Sequence, residues 1–382
     1  MDIKNIAGKF GIKAEDVTPI TQGLINNTWN VTDNNGKNFV LQEINVGVFT
    51  DPDGLMRNIV LVTEHLRKIV IERGGNPATE VLHVIPSEQG MYCKMADENG
   101  KDHYYRVYDY INGKTYEEAT PELLYQAGVG FGRFQNLLRD FPANELVETI
   151  PDFHNTIERY NAFSRALDEI KRATYFKAKD EIYELMAYRE VATEIMKPLL
   201  TAQIPFRVVH NDTKLNNVML DAQTHKPLCV VDLDTIMPGS MLFDFGDAVR
   251  SVANTGKEDD QNPNNVGIDF DKYTAFATGF LSEVYPVITP KELDLMSKAP
   301  AVLAYELALR FATDYISGNK YFKCDPARPE HNLERTRAQL KLFKEFWKNQ
   351  SKLDKINKNI YTVYSNGAKI DPSQFGSGEN QN

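Results

Sequence analysis

The chain has 382 residues, enough for one large or two lobed domains, with the 42% hydrophobic and 25% charged content of an ordinary soluble globular protein. Its formal charge of −10 argues against non-specific binding to nucleic acid or to anionic membranes. No apolar run approaches the roughly 20 residues of a membrane span, and Cys93, Cys229 and Cys324 lack metal-ligand spacing.

Residues 1–6 show no basic region followed by an apolar core, so no signal peptide is expected and the chain reads as reduced and cytoplasmic. Ile3, Ile6, Phe10 and Ile12 give a short amphipathic helix. Ile20 to Val31 reads as strand, turn, strand, with the turn at Gly23 to Asn27. A strand over Asn38 to Glu43 follows the Asn34-Asn35-Gly36 turn. Leu55, Ile59, Val62, Leu66 and Val70 mark one face of a helix over 53–73, with Asp53 placed to cap it. Strands recur at Glu80 to Ile85, Met91 to Met95 and Tyr104 to Ile111. Beyond 115 helical patterns dominate: Pro121 to Leu138, Asn155 to Ile170, Lys179 to Leu199, 270–285, 290–317 and 331–349. Glu258 to Asn265 is a polar loop expected to be mobile, and 372–382 is expected to be disordered.

The densest chemistry lies between two short apolar strands, Phe206 to Val209 and Val218 to Leu220. The loop joining them has the frame His-x-Asp-x-Lys-x-x-Asn, as His210, Asp212, Lys214 and Asn217. This is the spacing of a kinase catalytic loop. A hydroxyl is a poor nucleophile until a carboxylate takes its proton, and a cation must meanwhile neutralise the phosphate oxygens. Asp212 suits the base, Asn217 the metal side, and Lys214 the transferring phosphate. A polar hairpin capped by Asn and Asp would look similar on its own. A second strand, Leu228 to Val231, ends in Asp232-Leu233-Asp234, twenty residues beyond Asp212. Magnesium takes hard oxygen ligands, usually one or two carboxylates plus substrate phosphates. Asp232 is the first candidate ligand and Asp234 the second.

His210 to Asn217, Asp232 to Asp234 and Thr235 to Asp247 together resemble the aminoglycoside phosphotransferase and choline kinase superfamily, and within it the N-acetylhexosamine 1-kinases. The resemblance implies an α+β, two-lobed, protein-kinase-like fold. A small, mainly antiparallel β lobe would span 1–113 and a large helical lobe 114–371. ATP would be the phosphoryl donor and Mg2+ the cofactor. Gly23 and Asn26, in the first hairpin, would cover the phosphates, and Tyr108 and Tyr110 would lie at the hinge that meets the adenine. Gln42 stands where kinases carry a phosphate-binding lysine; it could donate a hydrogen bond but brings no charge. Glu64, the position of that lysine's partner, reads better as a solvated side chain. Asp244 would brace the catalytic loop.

The segment Leu307 to Phe322 is similar to the sugar-binding part of the N-acetylhexosamine 1-kinases, with Arg310 and Tyr321 matching sugar contacts. A salt bridge from Arg310 to Asp314 is the competing use of that arginine. Leu24 and Ser251 stand where that family has a histidine and an aromatic, so another hexosamine or sugar stays open. The expected activity is phosphorylation of the anomeric hydroxyl of an N-acetylhexosamine to a sugar 1-phosphate, by a monomer whose partners are that sugar and ATP. A kinase of another small alcohol or amine (choline, homoserine or aminoglycoside type) and a nucleotide-binding regulator without catalysis are the other readings.

Overall fold

The computed structural model describes residues 2–21 and 25–375. Gly23 and Leu24 lie outside them. The chain folds as two compact units, one made of residues 1–114, 140–151 and 219–238, the other of 115–139, 152–218 and 239–382.

The first unit is built on a six-stranded antiparallel sheet. Its order is Ala14–Ile20, Asn27–Asp33, Asn38–Ile44, Asp102–Asp109 and Val84–Ile85, with Cys93–Ala96 also paired to Asp102–Asp109. The first strand, expected to begin at Ile20, is Ala14–Ile20 and contains Pro19. Its place at the sheet edge explains how a residue without an N–H is tolerated there. Alternate residues Val31, Phe39, Leu41, Tyr105 and Val107 face inward and pack with Ile6 and Ala7 from helix Ile3–Gly8 and with Phe10 just beyond it. The strand expected over 80–85 is only Val84–Ile85, because Pro77–Glu80 winds into a helical turn capped by Asn76.

Helix Pro52–Glu72 buries the expected face of Leu55, Ile59, Val62, Leu66 and Val70. Asp51, not Asp53, caps it, accepting from the Gly54 N–H at 3.0 Å. The helix also buries Asn58, whose amide nitrogen donates to Val147 O (2.8 Å) and Ile236 O (3.0 Å) and whose oxygen accepts from Val147 N (3.0 Å). One polar side chain thus pins two distant loops of the same unit. Lys114 and Leu220 exchange backbone hydrogen bonds of 2.8 and 2.9 Å, which draws residues 219–238 into this unit.

The second unit is helical. Helix Ala299–Ile316 is buried along nearly its whole length. The single helix expected over 290–317 is two, Pro290–Met296 and Ala299–Ile316. Pro300 has no N–H and its ring would clash with the carbonyl four residues back, so it sits in the first turn of a new helix. The helix expected over 179–199 is Arg172–Ala187, followed by the 3-10 turn Arg189–Thr193 and helix Met196–Leu200. Helix Gln350–Ser365 was not expected at all. Residues 258–265, expected as a mobile loop, are tied down instead: Asp259 Oδ2 lies 2.6 Å from Arg328 Nη1 and 3.0 Å from His331 Nε2. Residues Pro372–Phe375 form a 3-10 turn. Among the described residues no helix is long and apolar enough to cross a membrane, and the three cysteines are unpaired.

Helices Pro121–Leu137 and Phe270–Val284 approach each other through glycines. A Cβ on Gly279 would collide with the carbonyl oxygen of Tyr125, and one on Gly128 with that of Phe276. Alanine is the better helix former by about 1 kcal/mol, but the obstacle here is backbone, which cannot swing aside. Gly279→Ala is therefore expected to destabilise the protein by about 2 kcal/mol net. Urea unfolding measures this; a variant as stable as the wild type would mean the two helices separate at little cost.

Candidate active site

In the second unit, strand Arg207–Val209 leads into the polar loop, which closes through the 3-10 turn Leu215–Asn217. Asp244 organises it from the first turn of helix Met241–Val252, which Ser240 caps. The Asp244 carboxylate is 1% exposed. It accepts from His210 N (3.0 Å), Asn211 N (2.8 Å) and Gln135 Nε2 (2.7 Å), and its backbone oxygen accepts from Thr213 Oγ1 (2.7 Å). Burial pushes the Asp244 carboxyl above its ordinary value, although the His210 ring, the two backbone N–H groups and Gln135 pull it down. The expected bracing role matches these contacts. Asn211 has φ 65°, a left-handed conformation that Asn adopts more readily than most residues, and this turns the chain toward Asp212.

His210 is wholly buried, with Phe131 and Phe134 edge-on at 5.6 and 6.0 Å, and its Nδ1 accepts from Asp212 N at 3.3 Å. It is a packing and loop-shaping residue. Asp212, Lys214 and Asn217 converge. Lys214 Nζ lies 2.8 Å from Asp212 Oδ1, and Asn217 Nδ2 donates to Asp212 Oδ2 (3.1 Å) and to its backbone oxygen (2.8 Å). With its amide nitrogen committed, Asn217 has its amide oxygen to offer a cation.

In the first unit, strand Pro227–Val230 is followed two residues on by Asp232, whose φ of 60° and ψ of 57° turn the chain into the 3-10 turn Leu233–Thr235. Asp234 is 3% exposed, and both its oxygens are engaged inside the unit. Asn26 Nδ2 donates to Oδ2 at 2.6 Å. Arg106 Nη1 lies 2.6 Å from Oδ1, an ion pair whose angles fall outside hydrogen-bond geometry. Asp234 is thus engaged within the protein through both of its oxygens. Gln42 is also engaged: its oxygen accepts from Arg106 Nε (3.0 Å) and Nη2 (2.8 Å), and its nitrogen donates to Thr28 Oγ1 (3.2 Å). Burial works against the Arg106 charge, but Asp234 outweighs it and holds the guanidinium above its ordinary value. Tyr108 is buried beside Arg106, with the guanidinium 5.3 Å from its ring, whereas Tyr110 is exposed. Glu64 is exposed, as expected.

Magnesium is tested by donor chemistry. Among the described residues no group of three or more His, Cys, Asp or Glu is arranged to hold a metal. An amide oxygen from Asn217 and a carboxylate from Asp232 are hard ligands, and magnesium ordinarily takes few protein ligands and leaves the rest to phosphate and water. Each side chain, taken by itself, is of the donor type that this ion takes.

The sugar-binding candidates lie in the second unit. Arg310 does not pair with Asp314. Asp314 accepts from the N–H groups of Lys320 (2.8 Å), Tyr321 (2.8 Å) and Phe322 (3.0 Å), so it shapes the turn carrying Tyr321. Arg310 lies instead over the rings of Phe153 and Phe322, 5.5 Å from each, and 3.8 Å from Glu306. Glu306 also holds His154 Nδ1 at 2.9 Å, and the buried Nε2 of His154 has no hydrogen-bond partner. Tyr321 and Ser251 are exposed. Asp247, held below its ordinary value against the opposing effect of burial by Arg250, also feels His154 and Lys214. Helix Met241–Val252 therefore links the catalytic loop to the Arg310 cluster. Sequence reasoning missed Arg106 and His154. Nothing local in the sequence marked either one, because their partners, Gln42 and Asp234 for Arg106 and Glu306 for His154, are distant in the chain.

The sequence profile of the phosphotransferase enzyme family matches residues 16–276. Among solved structures, an aminoglycoside phosphotransferase from Alicyclobacillus acidocaldarius is similar at 13% identity and a TM-score of 0.61, over 92% of this chain and 97% of that one. The microcompartment-associated aminopropanol kinase gives 11% and 0.58, over 91% and 97%. Amicoumacin kinase, solved with AMP-PNP, Ca2+ and Ami, gives 14% and 0.56, over 89% and 93%. At such identities the likeness is one of fold, which is protein-kinase-like.

Proposed function

The chain belongs to the phosphotransferase enzyme family and is a small-molecule phosphotransferase; from that premise we propose that it transfers the γ-phosphoryl group of ATP to the anomeric hydroxyl of an N-acetylhexosamine. Asp212 takes the hydroxyl proton, and Lys214 balances charge on the transferring phosphate. Asn217 and Asp232 hold magnesium, which when bound neutralises phosphate oxygens. Arg310 and Tyr321 bind the sugar, and the protein acts as a monomer in the cytoplasm.

The observation that carries the reading is the catalytic loop itself, where Lys214 and Asn217 each engage one oxygen of Asp212 on a backbone braced by Asp244. Charge balance near Arg310 supports an uncharged sugar over a cationic amine. Glu306 is shared by His154 and Arg310, and Asp247 is taken by Arg250. An ammonium group would need a carboxylate to spare, whereas a carbonyl or hydroxyl oxygen can accept from the guanidinium.

The direct test is phosphorus NMR of the protein with ATP, magnesium and separate hexosamines. A sugar 1-phosphate signal is expected. Turnover with an amino alcohol and none with any hexosamine would replace this reading with the amine kinase; ATP binding without any turnover would favour the regulator. Arg310→Gln is expected to raise KM for the sugar about 10- to 100-fold by removing a charge-assisted hydrogen bond, with KM for ATP unchanged. If ATP rather than sugar binding suffers, Arg310 is not a sugar contact.

A further inference from the structure

Kinases carry a cationic lysine on the third strand of the sheet, and this chain has Gln42 there. The cation is one strand away. Gln42 and Arg106 are direct cross-strand partners of Asn38–Ile44 and Asp102–Asp109. Arg106 is 1% exposed, donates through Nε and Nη2 to Gln42 Oε1, and sets Nη1 2.6 Å from Asp234 Oδ1. The other Asp234 oxygen accepts from Asn26 Nδ2, and Asn26 Oδ1 accepts from the N–H of Asn45 at 2.9 Å. A single guanidinium therefore joins the lysine-less strand, the turn that carries Asp232, and the segment around Asn26.

An interior ion pair of this kind is a poor device for stability alone, since apolar side chains of like volume usually serve as well or better. Arg is also the residue whose planar fork can hold two partners at fixed angles. We propose that Arg106 is the positioning residue of the nucleotide half of the site, fixing the Asp232 turn and the Asn26 segment for the metal–nucleotide complex and doing from the neighbouring strand what the absent lysine does in other kinases. Gln42 is then the acceptor that orients Arg106 rather than a contact for phosphate, and Asp234 is its counter-ion. The inference rests on the reading that the donor is a metal nucleotide.

Three full-length variants test it: Arg106→Gln, Arg106→Lys, and the exchange Gln42→Lys with Arg106→Gln, which moves the charge to the other member of the pair. MgATP binding by calorimetry, KM for MgATP and for the acceptor, and Tm are read for each. Arg106→Gln is expected to lower kcat/KM for MgATP about 100-fold with the acceptor KM unchanged. The exchange variant is expected to recover at least about tenfold of that loss, and Arg106→Lys to fall between. If the two Gln variants have equally lowered Tm and a wild-type KM for MgATP, Arg106 is only structural and the inference fails. If the exchange recovers Tm but not MgATP kinetics, it fails as well. A wild type that binds no MgATP while folded overturns the nucleotide reading and this inference together, which distinguishes the two failures.

Discussion

Asp212→Asn is expected to lower kcat by about a hundredfold to ten-thousandfold while changing folding stability by less than about 1 kcal/mol. The two halves of that expectation come from the same contacts. Asp212 Oδ1 meets Lys214 Nζ at 2.8 Å and Oδ2 meets Asn217 Nδ2 at 3.1 Å, so each carboxylate oxygen faces a donor. A carboxamide is nearly the same shape but has only one oxygen. Whichever way it turns, an NH2 group points at Lys214 or at Asn217, and no group remains that can take a proton from the acceptor hydroxyl. The fold is spared because the side chain is 24% exposed and Lys214 is 52% exposed, so water can solvate whatever is left unpaired. Single-turnover phosphoryl transfer together with thermal unfolding checks both halves. An Asn variant that keeps more than about a tenth of wild-type turnover would remove Asp212 as the base.

What could be read from the sequence divides along a physical line. The catalytic loop was legible because a polar run lies between two apolar strands with every functional residue within eight positions, from His210 to Asn217. Asp244 was legible only through the family resemblance, since the N–H groups it accepts from, those of His210 and Asn211, lie more than thirty residues away. Arg106 was not. Its partners Gln42 and Asp234 come from a neighbouring strand and a distant turn, and nothing local distinguishes a paired interior arginine from one on a solvated face. The reading of Gln42 as a phosphate donor failed to foresee that its amide is consumed by Arg106 and Thr28. The salt bridge that spacing offered Arg310, to Asp314, does not form: Asp314 caps the Tyr321 turn, and the carboxylate near Arg310 is Glu306, one turn the other way. Two strands were missed: the edge strand Ala14–Ile20, of which only the last residue was read as strand, and the short strand Met237–Gly239.

Asp244→Ala is the substitution expected to cost the most in stability, about 3 kcal/mol, with activity falling at least as far as in the Asp212 variant. Removing the carboxylate strands three donors in the interior: His210 N, Asn211 N and Gln135 Nε2. Each unsatisfied buried donor costs about 1–3 kcal/mol, but the sum overstates the loss, because the variant no longer has to bury a carboxylate. Activity suffers separately. Asn211 is held at φ 65° by a hydrogen bond to Asp244 Oδ1, and without it the loop has little reason to keep Asp212 beside Lys214 and Asn217. The pH dependence carries a sign that tests the account. Burial raises the folded carboxyl above its unfolded value of 3.8, so its contribution is complete below that value and is lost as pH rises through the folded one. The stability gap between wild type and Asp244→Ala is therefore expected to narrow as pH rises above 3.8, as urea unfolding across a pH series would read. A gap that widens with pH would mean that the donors, not burial, set the Asp244 charge, and that the ionised carboxylate holds the loop more tightly than the protonated one.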